Sequence, residues 1–352
     1  MLIMKTHAII PVFIPHKGCP NDCVFCNQKA ITARQADVEP QDVQKLIESY
    51  LPTLQGRNLQ TIEVAFFGGS FTGIPMEEQS AFLKVAKDYK DMGLIQKIHM
   101  STRPDYIDRN ILDNLKAYDA DTIELGVQSF DPCVLSASER GHTVDDVYTA
   151  CELIKEYGFE LGIQLMIGLP EDTLEKCIFS ARETVKIGPS IARLYPTIVL
   201  NDTQLYNMYR EGIYEPLSTE TAVSITKEMY KILDNAGINI IRVGLKSTDL
   251  ITEGGQIQGH TFHPAFRQLV EGEIAKEQLE EQLLSHAKAL GISPSELSGA
   301  YDFCSSGNSF SNMVGHRKAN KDYFSAAYPK LRVKYRADNS LDDGKYIVVN
   351  HC

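Results

Sequence analysis

At 352 residues the chain has room for one large domain with an appendage, or for two domains. A composition of 43% hydrophobic and 23% charged residues is that of an ordinary globular protein, and no apolar run reaches the ~20 residues of a membrane helix. The formal charge of −11 argues against a surface that binds nucleic acid over its whole extent, and the start Met1-Leu2-Ile3-Met4-Lys5-Thr6 is too quickly polar for a signal peptide, so a cytoplasmic protein is expected.

Residues 7–14 read as a strand, and Val43, Leu46, Ile47, Tyr50 and Leu51 recur at helical spacing. Strand-like segments follow at 61–67, 95–101, 122–128, 161–167 and 192–200, with helical ones at 82–89, 107–115, 147–157 and 174–185. Six strand-then-helix units in succession imply a parallel sheet with right-handed crossovers, either curled partly into a barrel or open and doubly wound. Both place the active site beyond the carboxyl ends of the strands. The chemistry-bearing residues collect there: three cysteines after the first strand, Gly68-Gly69 after the second, residues 101–105 at the end of the third.

Past residue 245 the pattern changes to a polar loop, a glutamate-rich helix near 268–290 and a stretch of Ser, Gly and Asn over 305–312. The tail segments 330–336 and 345–350 have the pattern of a β-hairpin. A core over 1–245 and a helical and β-hairpin appendage over 246–352, serving substrate binding, are therefore expected. His260, His263 and Arg267 precede or open the long helix, where capping explains them as well as substrate contact does.

Three of the eight cysteines crowd into Gly18-Cys19-Pro20-Asn21-Asp22-Cys23-Val24-Phe25-Cys26-Asn27, spaced C-x3-C-x2-C. A tight cluster in a long chain points to metal rather than to a disulfide framework. Three thiolates on a four-iron cluster leave one iron open for a second ligand. Structural zinc is the alternative, with His16 as a fourth ligand closing the tetrahedron. The other cysteines, 133, 151, 177, 304 and 352, are too dispersed for a second cluster and read as small buried hydrophobes, apart from Cys352, whose terminal place suits exposure.

The cysteine spacing, with Phe25 just before the last cysteine, resembles that of the radical S-adenosylmethionine (SAM) superfamily. Phe66-Phe67-Gly68-Gly69-Ser70-Phe71-Thr72 is similar to that family's glycine pair after the second strand, and Ser101-Thr102-Arg103-Pro104-Asp105 to its third-strand motif. The fourth-strand motif and its sequel are matched by Glu124-Leu125-Gly126-Val127-Gln128-Ser129-Phe130 and Arg140-Gly141-His142-Thr143, and the fifth by Met166-Ile167-Gly168-Leu169-Pro170. The branch it resembles is the catalytic subunit of Elongator, without the acetyltransferase domain, with coproporphyrinogen dehydrogenase more distant. Ser101 stands where similar proteins have Glu, and Phe13 where the porphyrin relative has a cluster-side Tyr.

The resemblance implies a partial (β/α)6 parallel barrel with a small C-terminal α+β appendage, a [4Fe–4S] cluster on Cys19, Cys23 and Cys26, and SAM as second cofactor. It implies cofactor contacts from Phe25 beside the adenine, Gly68 and Gly69 beside the methionine amine, Ser101 and Arg103, Gln128 and Gln164 at the ribose, Arg140 at the carboxylate, and the backbone of Ile167, Gly168 and Leu169 at the adenine. Reductive SAM cleavage would need an external electron donor of flavodoxin or ferredoxin type.

The tail Lys330-Leu331-Arg332-Val333-Lys334-Tyr335-Arg336, read as a strand, sets Lys330, Arg332, Lys334 and Arg336 on one face. With Arg317, Lys318 and Lys321 they form a cationic set suited to a tRNA backbone, although a charged edge strand that resists aggregation accounts for the stripe too. The resemblance, together with this stripe, implies a radical enzyme acting on tRNA. A radical enzyme on a small metabolite, and a non-catalytic zinc- or cluster-binding RNA-interaction protein, are the alternatives that substrate and metal content separate.

Overall fold

The computed structural model describes residues 6–14, 19, 23–26, 38–245 and 257–351. These divide into two units, one within Met4–Pro264 and the other within Ala265–Cys352. The expected boundary at 245/246 borders residues 246–256, which lie outside the described residues.

In the first unit, strands β1 (His7–Ile14), β2 (Thr61–Gly68), β3 (Lys97–Thr102), β4 (Thr122–Gln128), β5 (Glu160–Ile167) and β6 (Ile191–Pro196) pair in chain order, all parallel. After the short β7 (Val199–Leu200), β8 (Asn239–Val243) adds a seventh parallel strand beside β6. The sheet is a curled half-barrel, as expected, extended by one strand. The seventh strand, Asn239-Ile240-Ile241-Arg242-Val243, is too short to stand out in the sequence without its partner. β9 (Ile257–Gln258) pairs antiparallel with β7.

Period-two alternation gives each strand two faces. Ile10 and Val12 of β1, Val64 and Phe66 of β2, Ile98 and Met100 of β3 and Leu161, Ile163 and Leu165 of β5 are buried. The other register carries Phe13, Phe67, Ser101, Gln164 and Tyr195, all at least partly exposed, and so forms the inner wall. Among the described residues the helices of this unit are α1 (Pro40–Leu54), α2 (Met76–Asp91), α3 (Arg109–Ala117), α4 (Pro132–Ala137), α5 (Val144–Glu156), α6 (Leu174–Ile187), α7 (Gln204–Arg210) and α8 (Thr219–Asn235). α5 shows why such a segment is a helix and where it starts. Val147, Ala150, Cys151 and Ile154 make one buried stripe, while Thr143 and Asp146 form a reciprocal capping box. That cap ends the loop bearing Arg140.

The second unit has α9 (Phe266–Leu290), β10 (Gly299–Ser305), α10 (Phe310–Val314), α11 (Ala319–Ala327), β11 (Leu331–Ala337) and β12 (Tyr346–His351). Ala275, Leu279, Leu283 and Ala287 recur every four residues on α9 and pack against Tyr301, Phe303, Phe324 and Tyr346. Each leucine so buried contributes roughly 1.5–3 kcal/mol. The expected tail hairpin is corrected. β11 and β12 do not pair with each other; β10 lies between them, parallel to β11 and antiparallel to β12. The physical reason is burial: Tyr301 and Phe303 make β10 a central strand, and residues 338–345 are long enough to cross it.

Candidate active site

The cysteine turn is built from backbone contacts to two other elements. Cys26 N–H donates to the Cys23 carbonyl at 2.8 Å. Val24 N–H donates to the Ser138 carbonyl at 3.2 Å, at the end of α4, and the Val24 carbonyl accepts from Leu205 N–H of α7 at 2.7 Å. Cys23 is buried, Cys19 and Cys26 are partly exposed, and none is in a disulfide. Phe25 packs on the buried cluster of Val24, Val199, Leu205 and Tyr214. Among the described residues no three His, Cys, Asp or Glu side chains already form a metal cage. His16, the alternative zinc ligand, lies outside the described residues.

Two guanidinium groups face this turn. Arg140 Nη1 donates to Cys23 Sγ at 3.2 Å and Nη2 to the Gly126 carbonyl at 2.5 Å. Arg103, 4% exposed, gives Nε and Nη2 to Asp105 at 2.9 and 2.8 Å and lies close enough to Cys19 and Cys23 to interact with their charge. Its Nη1 is buried without a partner, a costly arrangement that an anionic group relieves. Burial, then the charges of Arg140 and Arg103, push His142 down to about 4, so its ring adds no charge at neutral pH. Donor chemistry therefore fits an anionic iron–sulfur cluster: three thiols, with cations beside Cys19 and Cys23, and one spare cationic donor.

The strand ends around the turn are laced together. Gly69 N–H donates to the Ile14 carbonyl at 3.1 Å. Gly68 has φ +117°, and a Cβ there would meet the Ile14 oxygen at 2.4 Å, so glycine is required by the approach of β1 alone. Ser70 Oγ accepts from Arg103 N–H at 3.0 Å, and Thr72 Oγ1 bonds Thr102 Oγ1 at 2.6 Å. Gln128 sits at φ +70° beside a register shift in β4, with its Oε1 buried and unpartnered. Ile167 and Leu169 are core residues whose carbonyls accept from Thr197 N–H and Asp172 N–H at 2.8 and 3.0 Å, and between them Gly168 is partly exposed.

Ser101 and Gln164 belong to a different constellation. On the inner wall Glu124, fully buried, receives hydrogen bonds from Ser101 Oγ at 3.4 Å and from Gln164 Nε2, and pairs with Arg193 Nε at 2.7 Å. Arg193 also lies over the Phe67 ring at 5.0 Å. His99 Nε2 is 3.7 Å from Glu124, and His99 Nδ1 is 3.2 Å from Glu63, which also meets His7 Nε2 at 3.2 Å. Burial works against the Glu63 charge, but hydrogen bonds from His7 and His99 outweigh it and hold the carboxyl down to about 2. Sequence reading missed Glu63, His99 and Arg193 because no motif carries them; the signal was a polar residue at alternate positions of adjacent strands.

Three of the scattered cysteines, 151, 177 and 304, are buried as expected; Cys133 is exposed, and Cys352 lies outside the described residues. Burial pushes the Cys151 thiol up to about 12. The expected cationic set is divided by the sheet of the second unit. Leu331, Val333 and Tyr335 face the apolar core, so Arg332, Lys334 and Arg336 project from the opposite, open face. Arg336 there pairs with Asp302, which His351 Nε2 meets at 2.8 Å. Arg317 and Lys318, at φ 50° and 70°, and Lys321 belong to the helical layer, exposed. No helix among the described residues is long and apolar enough to cross a membrane.

Residues 13–182 match the radical SAM superfamily, and residues 189–276 match the radical SAM C-terminal domain. The tRNA uridine(34) acetyltransferase of Methanocaldococcus jannaschii is 28% identical over 257 residues, 62% of this chain and 47% of that protein. Elongator complex protein 3 of Homo sapiens is 26% identical over 269 residues, 64% of this chain and 49% of that protein. The chain spans about half the length of these curated relatives. Among solved structures, archaeal Methanocaldococcus infernus Elp3 with its N-terminus deleted superposes with a TM-score of 0.60 at 20% identity, over 82% of this chain and 64% of that one.

Proposed function

Because the chain belongs to the radical SAM superfamily and shares its cofactors, a [4Fe–4S] cluster and SAM, we propose that Cys19, Cys23 and Cys26 hold the cluster and that the protein modifies tRNA. The observation that carries the assignment is the pair of guanidinium groups at the turn, Arg140 on Cys23 Sγ and Arg103 with a buried, unpartnered Nη1. When bound, the cofactors supply reductive cleavage of SAM to methionine and a 5′-deoxyadenosyl radical that takes a hydrogen atom from substrate.

The chain's own residues bind, orient and shield. Arg103 Nη1 is the free donor for the SAM carboxylate, whereas Arg140 is occupied in offsetting thiolate charge. Gln128 Oε1 is the buried acceptor for a ribose hydroxyl. Gly68 and Gly69, without side chains, admit the methionine end, and the backbone of Ile167, Gly168 and Leu169 borders the adenine, with Phe25 on the cysteine side. Ser101 and Gln164 act one layer deeper, as the polar ceiling of the Glu124 network. The inner wall, with Phe13, Phe67, Arg193 and Tyr195, borders the space in which bound cofactors and substrate would displace bulk water from the reacting centre.

The tRNA reading is supported by relatives named for tRNA uridine(34) acetylation and by the open cationic sheet face of Arg332 and Lys334. A cytoplasmic setting and an external flavodoxin- or ferredoxin-type electron donor complete it. The test is anaerobic. Protein reconstituted with iron and sulfide, reduced with dithionite and given SAM is expected to form 5′-deoxyadenosine, and a Cys23→Ala variant to form none. No product from a verified, reduced four-iron cluster, with bulk tRNA present, would sink the proposal.

A further inference from the structure

Residues 197–218 leave the sheet after β6 and return to it through α8, and this excursion touches two parts of the candidate site at once. On one side α7 meets the cysteine turn: Leu205 N–H donates to the Val24 carbonyl at 2.7 Å, and Tyr214 joins Val24, Val199 and Leu205 in a buried cluster lined by Phe25. On the other side the Tyr214 hydroxyl donates to the Gly168 carbonyl at 2.6 Å.

Gly168 is held from further directions. Its N–H donates to Asp172 Oδ2 at 2.9 Å, and the same oxygen accepts from Cys177 Sγ at 3.0 Å. Its φ is +79°, and a Cβ there would meet the Leu217 side chain at 2.6 Å. A left-handed glycine has no side chain to fix its peptides, so these contacts set their direction. Tyr214 is 8% exposed, and its own N–H is tied to the Met208 carbonyl at 3.1 Å. Burial raises the phenol above its ordinary range, so it remains a donor at physiological pH. A tyrosine suits this place because one side chain supplies a rigid apolar body and a polar tip.

We infer that Tyr214 is a positioning residue that couples the cysteine turn to the Gly168 peptide, and so sets the seat of the SAM adenine relative to the cluster. The inference rests on the proposed placement of adenine at Gly168. It gives residues 197–218 a role that no motif announces: a brace between the metal-holding loop and the end of β5.

Tyr214→Phe keeps the ring and removes the hydroxyl; Tyr214→Leu removes both. Each is reconstituted anaerobically, reduced, and titrated with SAM while the electron paramagnetic resonance spectrum of the cluster is followed. Tyr214→Phe is expected to hold the wild-type iron content and the wild-type spectrum without SAM. Its apparent Kd for SAM is expected to rise about fivefold, the factor for one hydrogen bond. Tyr214→Leu is expected to lose iron content as well. A wild-type SAM titration in Tyr214→Phe overturns the inference, and so does equal loss of iron in both variants, which marks a merely structural residue. A wild-type protein whose spectrum ignores SAM overturns the adenine placement and the inference together.

Discussion

Arg140 Nη1 lies 3.2 Å from Cys23 Sγ, while the adjacent Nη2 is anchored on the Gly126 carbonyl. The guanidinium thus reaches across from the loop after α4 to the cysteine turn with its position fixed by β4. A cation on a cluster sulfur favours the more negative, reduced state. Arg140→Met is expected to lower the midpoint potential of the reconstituted cluster by about 60 mV, equivalent to about 1.4 kcal/mol for one electron. Redox titration followed by electron paramagnetic resonance checks it, and an unchanged potential would remove Arg140 from this role.

Glu63 offers a prediction whose sign follows from its hydrogen bonds. A carboxyl held down to about 2 contributes stability that is present above its ordinary value of 4.5 and is lost as the pH falls towards 2. Glu63→Gln is expected to be less stable than wild type by about 3 kcal/mol at pH 7, with the gap closing between pH 4.5 and 2. His7 works in the opposite sense: the Glu63 hydrogen bond raises it above 6.5, so its share is present below 6.5 and fades as the pH rises through the raised value. Urea unfolding of both proteins at pH 3, 5 and 7 decides; a gap that does not change with pH refutes the assignment.

Gly68→Ala places a Cβ against the Ile14 carbonyl at a backbone angle that favours glycine. It is expected to cost more than ~2 kcal/mol and to impair SAM binding. Gly56→Ala, also at positive φ but with nothing within 4 Å, serves as the control and is expected to cost about 1 kcal/mol. Equal costs at the two positions would show that the approach of β1 exerts no constraint.

Arg332 and Lys334 project from the open face of the second unit's sheet. If that face follows a tRNA backbone, Arg332→Ala/Lys334→Ala is expected to weaken binding of bulk tRNA. The slope of log affinity against log salt is expected to fall by about 1.5, with iron content unchanged. Filter binding over a salt series measures both. An unaltered slope would leave this as a charged edge strand and nothing more.

How far the site was legible depended on how local its residues are. Cys19, Cys23 and Cys26 lie within eight residues of sequence, and Gly68-Gly69, Arg103 and Gln128 each stand at the end of a strand that the alternation had already located. The grouping of Ser101 and Gln164 with Glu124 was not legible, because it depends on the registers of β3 against β4 and β4 against β5. Tyr214 stood in a stretch without periodicity, and nothing near it in the chain tells that its hydroxyl ends on Gly168.

The sequence by itself determined the parallel class of sheet, the succession of strands and helices along the chain, the cysteine spacing and the alternation that makes Leu331, Val333 and Tyr335 apolar against Arg332, Lys334 and Arg336. All of these follow from residue type and spacing within a single element, where period two, period 3.6 and ligand chemistry act over a few residues. The tertiary structure alone decided that β10 separates the two tail strands, that the cationic set is split between the open face and the helical layer, that Arg140 is committed to Cys23, and that Tyr214 braces the turn against β5. Those outcomes are settled by which apolar surfaces are buried together, and burial is a property of the packed chain rather than of any segment of it.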